Sequence, residues 1–138
     1  MGALQVQFAK KQIDLALMSH KKINIKTDRY KLSQSVYNIL TNAYKFTEPN
    51  GKVTVSYELA GSELVISIQD TGSGIGDEDK LHLFDAYFRG SNTSNMAGEG
   101  IGLYIVKENL DRINGRIEVE SEIGKGSRFI ITVPNFNI

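Results

Sequence analysis

The sequence predicts an α+β domain, in which a mixed five-stranded sheet carries about three helices on one face and forms a two-layer sandwich. Three observations favour this class. Short runs that alternate apolar and polar residues, as half-buried strands do, occur near both ends and in the middle of the chain. Two longer segments have apolar residues at helical spacing. The 138 residues are 41% apolar and 23% charged. This composition is that of one ordinary domain with a single core, so we expect residues 1–138 to form one domain.

The first third of the chain predicts two strands and a helix. Residues 12–17 (QIDLAL) alternate as a half-buried strand does, and residues 23–26 (INIK) are a second, shorter candidate. Asp28 is placed to cap a helix that runs to about Lys45. The apolar residues of this helix recur at helical spacing and would pack inward: Leu32, Val36, Ile39, Leu40 and Ala43.

The middle of the chain predicts a hairpin followed by a short helix. Strands over residues 53–59 and 64–69 are joined by a turn that contains Gly61. Asp77 can cap a helix through about residue 88. Residues 90–98 (GSNTSNMAG) are small, polar and without periodicity, which indicates a mobile loop.

The last third predicts a helix and two strands. Residues 103–114 carry an apolar stripe at helical spacing, and Gly115 fits the C-terminal cap of that helix. Strands over residues 116–120 and 128–133 complete the sheet. A ligand site would lie between the helices and the sheet.

Composition excludes several classes of partner. Basic and acidic residues number 16 each, so the net charge of zero gives no reason to expect nucleic acid or an anionic membrane. The absence of cysteine excludes disulfides and thiolate metal sites and is compatible with the cytosol. No apolar run approaches the ~20 residues that span a bilayer, and the N-terminus lacks a signal-peptide pattern. We therefore expect a cytoplasmic domain that makes no membrane contact of its own.

Three polar residues share one face of the first predicted long helix. Asn38, Asn42 and Lys45 stand at positions i, i+4 and i+7. Asparagine is a poor residue for a helix interior, so two on one face suggest a polar site. An asparagine oxygen is a hard ligand suited to Mg²⁺, and the lysine would add positive charge near phosphates. On spacing alone, a solvated helix face with two ordinary amides is at least as good an interpretation.

Asp70 begins a glycine-containing turn (DTGSGI, residues 70–75) directly after a predicted strand. Its carboxylate can accept a hydrogen bond from an exocyclic amine such as that of adenine. Gly72 and Gly74 allow a sharp turn and close approach to a flat ligand. The alternative is a glycine-rich hairpin turn that binds no ligand. The spacing of the glycines does not fit a dinucleotide-binding fingerprint.

Two further glycine motifs follow. Residues 98–103 (GEGIGL) lead into the helix that begins near Leu103, and a glycine loop before a helix N-terminus is an anion site suited to phosphates. It is not a Walker A loop. Residues 124–129 (GKGSRF) lie between two strands, where an ordinary hairpin turn is the favoured interpretation. Ser127 would still be able to place a hydroxyl or a bound water near a base.

Taken in order, these segments resemble the ATP-binding catalytic domain of sensor histidine kinases, which shares the Bergerat fold with gyrase, chaperone and mismatch-repair ATPases. Residues 38–47 (NILTNAYKFT) resemble the asparagine box of that family, and residues 84–89 (FDAYFR) resemble its phenylalanine box. The three glycine motifs resemble its glycine boxes. The resemblance covers residues 13–134, and five motifs in the right order are highly specific.

The resemblance implies a role for each motif at a Mg²⁺–ATP site. Asn42 would ligate the Mg²⁺, and Asn38 would position the phosphates or a metal-bound water. Lys45 and Arg89 would stabilise phosphate charge. The residues implied in binding the base and the phosphates are Asp70, Gly72, Gly74, Ile75, Gly98, Gly100, Ile101, Gly102, Leu103 and Ser127. Phe84 would anchor a mobile lid over residues 84–99.

Departures from the family pattern are small. Tyr87 stands where a second phenylalanine is usual, and Ala86 and Gly76 replace frequent prolines. These changes predict altered lid mobility rather than lost binding. Gyrase-like ATPases have glutamate as a general base at the position of Asn38. An amide cannot accept a proton in that way, which argues against efficient hydrolysis and for phosphoryl transfer.

The acceptor of the phosphoryl group is expected outside this chain. Such kinases phosphorylate a histidine on a dimerisation domain, and neither His20 nor His82 has the expected acidic and proline neighbours. The resemblance thus implies a cytosolic domain of a membrane-bound bacterial sensor kinase, acting on its dimerisation domain and, through it, on a response regulator. A sigma-factor-regulating serine kinase and a non-catalytic nucleotide-sensing module of the same superfamily are the alternatives.

Overall fold

The computed structural model describes residues 2–19, 22–86 and 102–135. Four helices and five strands occur in these ranges. In chain order they are α1 (Gly2–Lys10), β1 (Asp14–Leu17), α2 (Arg29–Phe46), β2 (Lys52–Ala60), β3 (Glu63–Asp70), α3 (Asp77–His82), α4 (Gly102–Arg112), β4 (Arg116–Glu122) and β5 (Gly126–Pro134). The strands form one sheet in the order β1-β2-β3-β5-β4. Strand β1 is parallel to β2, and the other neighbours are antiparallel, so the predicted mixed five-stranded α+β fold is confirmed.

One face of the sheet forms the floor of the core. Alternate residues of the three central strands are buried, as the pleat requires. On the opposite face the guanidinium of Arg128 donates to the hydroxyl of Ser67 at an exposed position. The buried apolar residues of these three strands are Val53, Val55, Leu64, Ile66, Ile68, Phe129, Ile131 and Val133. Helices α2 and α4 cover them with Ile39, Leu40, Ala43, Val106 and Leu110.

Helix α2 begins as predicted. The N–H of Lys31 donates to the carboxylate of Asp28 at 3.0 Å, which satisfies a free donor of the first turn. The same backbone hydrogen bond lowers the pKa of Asp28. The helix ends at Phe46, one residue beyond the predicted end, with Thr47 as its C-cap.

Helix α4 ends differently from the prediction. It stops at Arg112, and the left-handed residue after it is Asn114, with a φ of 61°. Gly115 is the next residue, and its N–H donates to the carbonyl of Leu110 at 2.8 Å. This six-to-one bond is the Schellman arrangement, in which asparagine is tolerated because its short side chain permits positive φ. Gly115 is glycine for another reason: a Cβ there would lie 2.8 Å from the carbonyl oxygen of Thr132.

Two other expectations differ from the structure, and one helix was not predicted. Residues 23–26 form no strand, although Ile23 and Ile25 pack against the core. Asp77 is the first residue of α3 rather than its cap; Gly76 occupies the cap position, and the helix ends at His82. Helix α1 was not predicted because its apolar stripe is short, and only Leu4 and Phe8 are buried among its described side chains. None of the described helices is long and apolar enough to cross a membrane.

Candidate functional site

Asn38, the first of the three polar residues of α2, contacts the start of α4. Asn38 is half-buried, and its amide donates to the carbonyl oxygen of Gly102 at 3.2 Å. Gly102 is the first residue of α4, where backbone N–H groups have no partner within the helix. The face of α2 that carries Asn38 is therefore attached to a helix N-terminus, which is a favourable place for an anion.

Asn42 and Lys45 lie further along α2. Asn42 is half-buried and Lys45 is exposed. Lys45 stands in the last turn of the helix. The end of the helix lies beside the turn after β3, as shown by the carbonyl oxygen of Phe46, which a Cβ on Gly72 would meet. The three polar residues of α2 thus follow one path, from the start of α4 to the end of β3.

Asp70 is the last residue of β3 and is only 5% exposed. The N–H of Gly72 donates to one oxygen of its carboxylate at 2.8 Å. Burial raises the pKa of Asp70, while hydrogen bonds from the backbone of Gly72 and of Ser127 act in the opposite direction. An ionised carboxylate only accepts hydrogen bonds, whereas its protonated form also donates one.

The glycines of the turn after β3 are required by the protein's own backbone. A Cβ on Gly74 would collide with the carbonyl oxygen of Glu122, and the φ of this residue is 77°. A Cβ on Gly72 would lie 2.9 Å from the Asp70 carboxylate and closer still to the carbonyl of Phe46. The sequence predicted that these glycines allow a sharp turn and close approach to a flat ligand; the sharp turn is confirmed, and the approach to a ligand stays a prediction. The observed contacts show that they let the turn lie against α2 and the β4–β5 hairpin.

The turn is joined to the β4–β5 hairpin by hydrogen bonds that the sequence did not reveal. The N–H of Ile75 donates to the hydroxyl of Ser121 at 2.7 Å. The Ser121 hydroxyl lies 2.8 Å from that of Ser127 and 2.9 Å from the carbonyl oxygen of Gly126. The N–H of Gly124 also donates to the carbonyl of Ser73, at 2.8 Å. Two glycine motifs that are about 50 residues apart therefore form one structural unit.

Lys80 of α3 reinforces this unit from outside. Its ammonium group donates to the carbonyl oxygen of Ser121 at 2.8 Å and pairs with Asp77 at 2.9 Å. Nothing in the local sequence around Lys80 or Ser121 distinguishes them from surface residues. Their part in the site follows only from the contact between α3 and β4.

The remaining predicted residues divide into two groups. Ile75, Phe84 and Leu103 are half-buried and pack against the core beside the site, and Ser127 is 7% exposed. Arg89, Gly98, Gly100 and Ile101 lie outside the described residues, as do residues 87–99 of the predicted lid.

A family described as histidine kinase-, DNA gyrase B- and HSP90-like ATPase matches residues 27–137. The chain belongs to this family. The match begins just before α2 and includes every element of the candidate site, so the site lies within the part of the chain that the family shares. The predicted family membership is confirmed.

Curated relatives point to one branch of this ATPase family. The sensor protein SrrB of Staphylococcus aureus is 34% identical over 109 residues, which cover 78% of this chain and 19% of that protein. The chain therefore spans about a fifth of the length of the curated relatives it matches.

Solved structures of this branch share the fold. The catalytic domain of the histidine kinase ThkA superimposes with a TM-score of 0.81 at 26% identity, over 97% of this chain and 90% of that one. Full-length ShkA, solved in complex with AMPPNP, superimposes with a TM-score of 0.86 at 27% identity, over 97% of this chain and 28% of that one. The fold of this chain is that of the histidine kinase catalytic domains.

Proposed function

We propose that this chain binds Mg²⁺–ATP and donates the γ-phosphoryl group to a histidine on a separate dimerisation domain of a sensor kinase. The observation that carries the proposal is the position of Asn38, an amide where a hydrolytic relative would have a carboxylate. Its side chain is engaged with the start of α4 at Gly102. A side chain that donates a hydrogen bond from an amide cannot serve as the base that activates water.

The donor chemistry of α2 fits a magnesium ion shared with phosphates. Among the described residues no group of three or more His, Cys, Asp or Glu side chains could hold a metal by itself. Asn42 offers one hard oxygen on the face that Asn38 shares, and Mg²⁺ is commonly held by few protein ligands together with waters and phosphates. Asn42 would hold the ion, which would supply charge neutralisation at the phosphates.

The opposite end of the site fits an adenine base. Asp70 supplies a buried acceptor, and Ile75 supplies apolar surface packed against the core. Ser127 of β5 is the paired neighbour of Asp70 on the adjacent strand. A flat apolar base with one exocyclic amine matches this combination of apolar surface and acceptors.

The other residues would act on charge and on access to the site. Lys45 and Arg89 would stabilise charge on the transferred phosphoryl group, and the glycine motif of residues 98–103 would bind the phosphates through its backbone. Phe84 packs on the core and would anchor the lid. The protein would thus act by positioning and by electrostatic stabilisation, as phosphoryl transfer generally requires.

The test is transfer in trans. The chain is incubated with radiolabelled ATP, Mg²⁺ and the dimerisation domain of its parent kinase, and the acid stability of the product is measured. We expect an acid-labile, alkali-stable phosphate on the dimerisation domain. Acid-stable label on a protein serine would identify the serine kinase alternative, and ATP binding without transfer would identify a sensing module.

Asn42→Ala is the variant that tests the metal assignment, and Asn24→Ala, an exposed loop amide, is its matched control. We expect Asn42→Ala to reduce transfer at least tenfold and to weaken the Mg²⁺ dependence of ATP binding, whereas Asn24→Ala leaves both unchanged. Undiminished transfer by the Asn42 variant would overturn the assignment.

A further inference from the structure

We infer that Ser121 is a specificity-determining positioning residue, which orients the hydroxyl of Ser127 so that Ser127, like the carboxylate of Asp70, offers a base only hydrogen-bond acceptors. The inference rests on the proposed function, since it assigns a base to the pocket beside Asp70. It concerns a residue outside every motif that identified the site.

Ser121 is the junction of four segments. Its hydroxyl contacts the N–H of Ile75, the carbonyl oxygen of Gly126 and the hydroxyl of Ser127, all within 2.9 Å. Its own carbonyl accepts from the ammonium group of Lys80. It is half-buried and pairs with Ser127 across the β4–β5 ladder. These contacts leave its side chain little freedom to rotate.

The three contacts of this hydroxyl determine which group donates. The N–H of Ile75 can only donate, and the carbonyl of Gly126 can only accept. Ser121 has one hydroxyl proton, and the assignment that satisfies every contact sends it to the Gly126 carbonyl. The hydroxyl of Ser127 must then donate its own proton to the oxygen of Ser121.

The orientation of the Ser127 hydroxyl determines which hydrogen bonds it can form with a bound base. With its proton committed to Ser121, Ser127 retains only lone pairs for a ligand. Its register partner is Asp70, whose ionised carboxylate is also acceptor-only. Adenine presents an exocyclic amine donor, whereas hypoxanthine and guanine present a carbonyl acceptor at the same position. Two acceptors side by side favour the amine and leave the carbonyl without a donor.

The experiment compares affinities for ATP and inosine triphosphate, which carries a carbonyl in place of the amine. For the unchanged chain we expect ATP to bind at least tenfold more tightly, because an unmatched buried acceptor weakens binding by about tenfold to hundredfold. If the chain binds neither nucleotide, the proposed function itself fails. If it binds both equally, ATP binding survives and the inference is overturned.

Ser121→Ala frees the Ser127 hydroxyl to rotate and donate. We expect the ATP preference to fall about tenfold, mainly because inosine triphosphate binds better relative to ATP. Ser121→Thr keeps a hydroxyl and should retain the preference. Ser67→Ala, a serine change on the opposite face of the sheet, should leave it unchanged. Equal loss of both affinities in Ser121→Ala would show a merely structural role and overturn the inference.

A double-mutant cycle distinguishes loss of the Ser121–Ser127 interaction from a general disturbance of the β4–β5 hairpin. In a Ser127→Ala background there is no hydroxyl to orient, so adding Ser121→Ala should change the ATP preference no further. A further fall in that preference would overturn the inference. Thermal midpoints of all variants show which of them remain folded.

Discussion

The side-chain amide of Asn38 donates a hydrogen bond to the carbonyl oxygen of Gly102 at 3.2 Å. This bond joins the middle of α2 to the first residue of α4, which lie 64 residues apart in the chain. A second side-chain bond, from Asn109 to Gln34 at 2.9 Å, links the same two helices. The helix N-terminus assigned to the phosphates is thus held in place by a residue of the asparagine box.

Replacement of Asn38 by aspartate tests this relationship, because the side chains have the same shape but the carboxylate has no donor. The new side chain would face the Gly102 carbonyl acceptor to acceptor. We expect a loss of about 1 kcal/mol in the free energy of unfolding, and weaker ATP binding as the start of α4 shifts. Thermal unfolding and nucleotide titration measure the two effects. Asn24→Asp is the control, and an Asn38→Asp variant identical to the unchanged chain would contradict the prediction.

Replacement of Asp70 by asparagine separates binding from folding. The asparagine oxygen can still accept from the N–H of Gly72, and the cost of a buried charge disappears. We expect the thermal midpoint to change by no more than a few degrees, while ATP affinity falls at least tenfold because an amide donor now faces the adenine amine. Calorimetric titration measures the affinity. Unchanged ATP affinity would show that the Asp70 carboxylate does not bind the base.

The raised pKa of Asp70 predicts a pH dependence of base selectivity. The ionised carboxylate accepts from adenine, and burial makes this carboxylate protonate at a pH above its ordinary value of 3.8. The preference for ATP over inosine triphosphate should therefore fall as the pH is lowered through the raised pKa of Asp70, before it reaches 3.8. The ratio of the two affinities cancels titration of the phosphates. A ratio in Asp70→Asn that follows the same pH curve would show that another group is responsible.

The sign of the stability effect is opposite to that of an ion-paired carboxylate. Because the folded-state pKa is raised, the stability linked to Asp70 is fully present below its unfolded-state pKa and is lost as pH rises through the folded-state value. The unchanged chain should thus lose stability relative to Asp70→Asn across that interval. Urea denaturation at a series of pH values, with both chains, measures the difference, and parallel curves would refute it.

Two glycines with positive φ provide a matched pair. Gly61 has a φ of 63° and open space within 4 Å of the point that a Cβ would occupy, whereas a Cβ on Gly74 meets the carbonyl of Glu122. Gly61→Ala should cost only the roughly 1–2 kcal/mol of left-handed strain. Gly74→Ala should cost clearly more and should also weaken ATP binding, because the turn must leave the hairpin. Chemical denaturation ranks the two, and equal costs would contradict the packing described for the turn.

Periodicity and motif order were sufficient for much of this structure. The alternation in residues 53–59 and 64–69 predicted the central hairpin, and the apolar stripe of α2 predicted its buried face. The cap at Asp28 was confirmed because one local contact determines it. These features depend on neighbours in the sequence, which is why the sequence alone predicts them.

Features that depend on distant neighbours were missed. In the sequence, Ser121 and Lys80 resemble ordinary surface residues. Their contact becomes apparent only in the structure, where α3 lies against β4. The sequence predicted Gly74 as part of a sharp turn beside a ligand, but it did not predict the contact with the carbonyl of Glu122, across the fold, that requires glycine there. The strand expected at residues 23–26 fails because a short alternating run needs a partner strand as well as a pattern.

Locating the bound nucleotide tests directly whether α2, the end of β3 and the start of α4 form one ATP site. Backbone amide signals are followed by nuclear magnetic resonance while a non-hydrolysable ATP analogue and Mg²⁺ are added. We expect large shifts at Asn42, Asp70, Gly102 and Ser127, and none at Gly61 in the distant β2–β3 turn. Saturable binding that shifts the amides around Gly61 and leaves Asp70 and Gly102 unchanged would contradict this expectation.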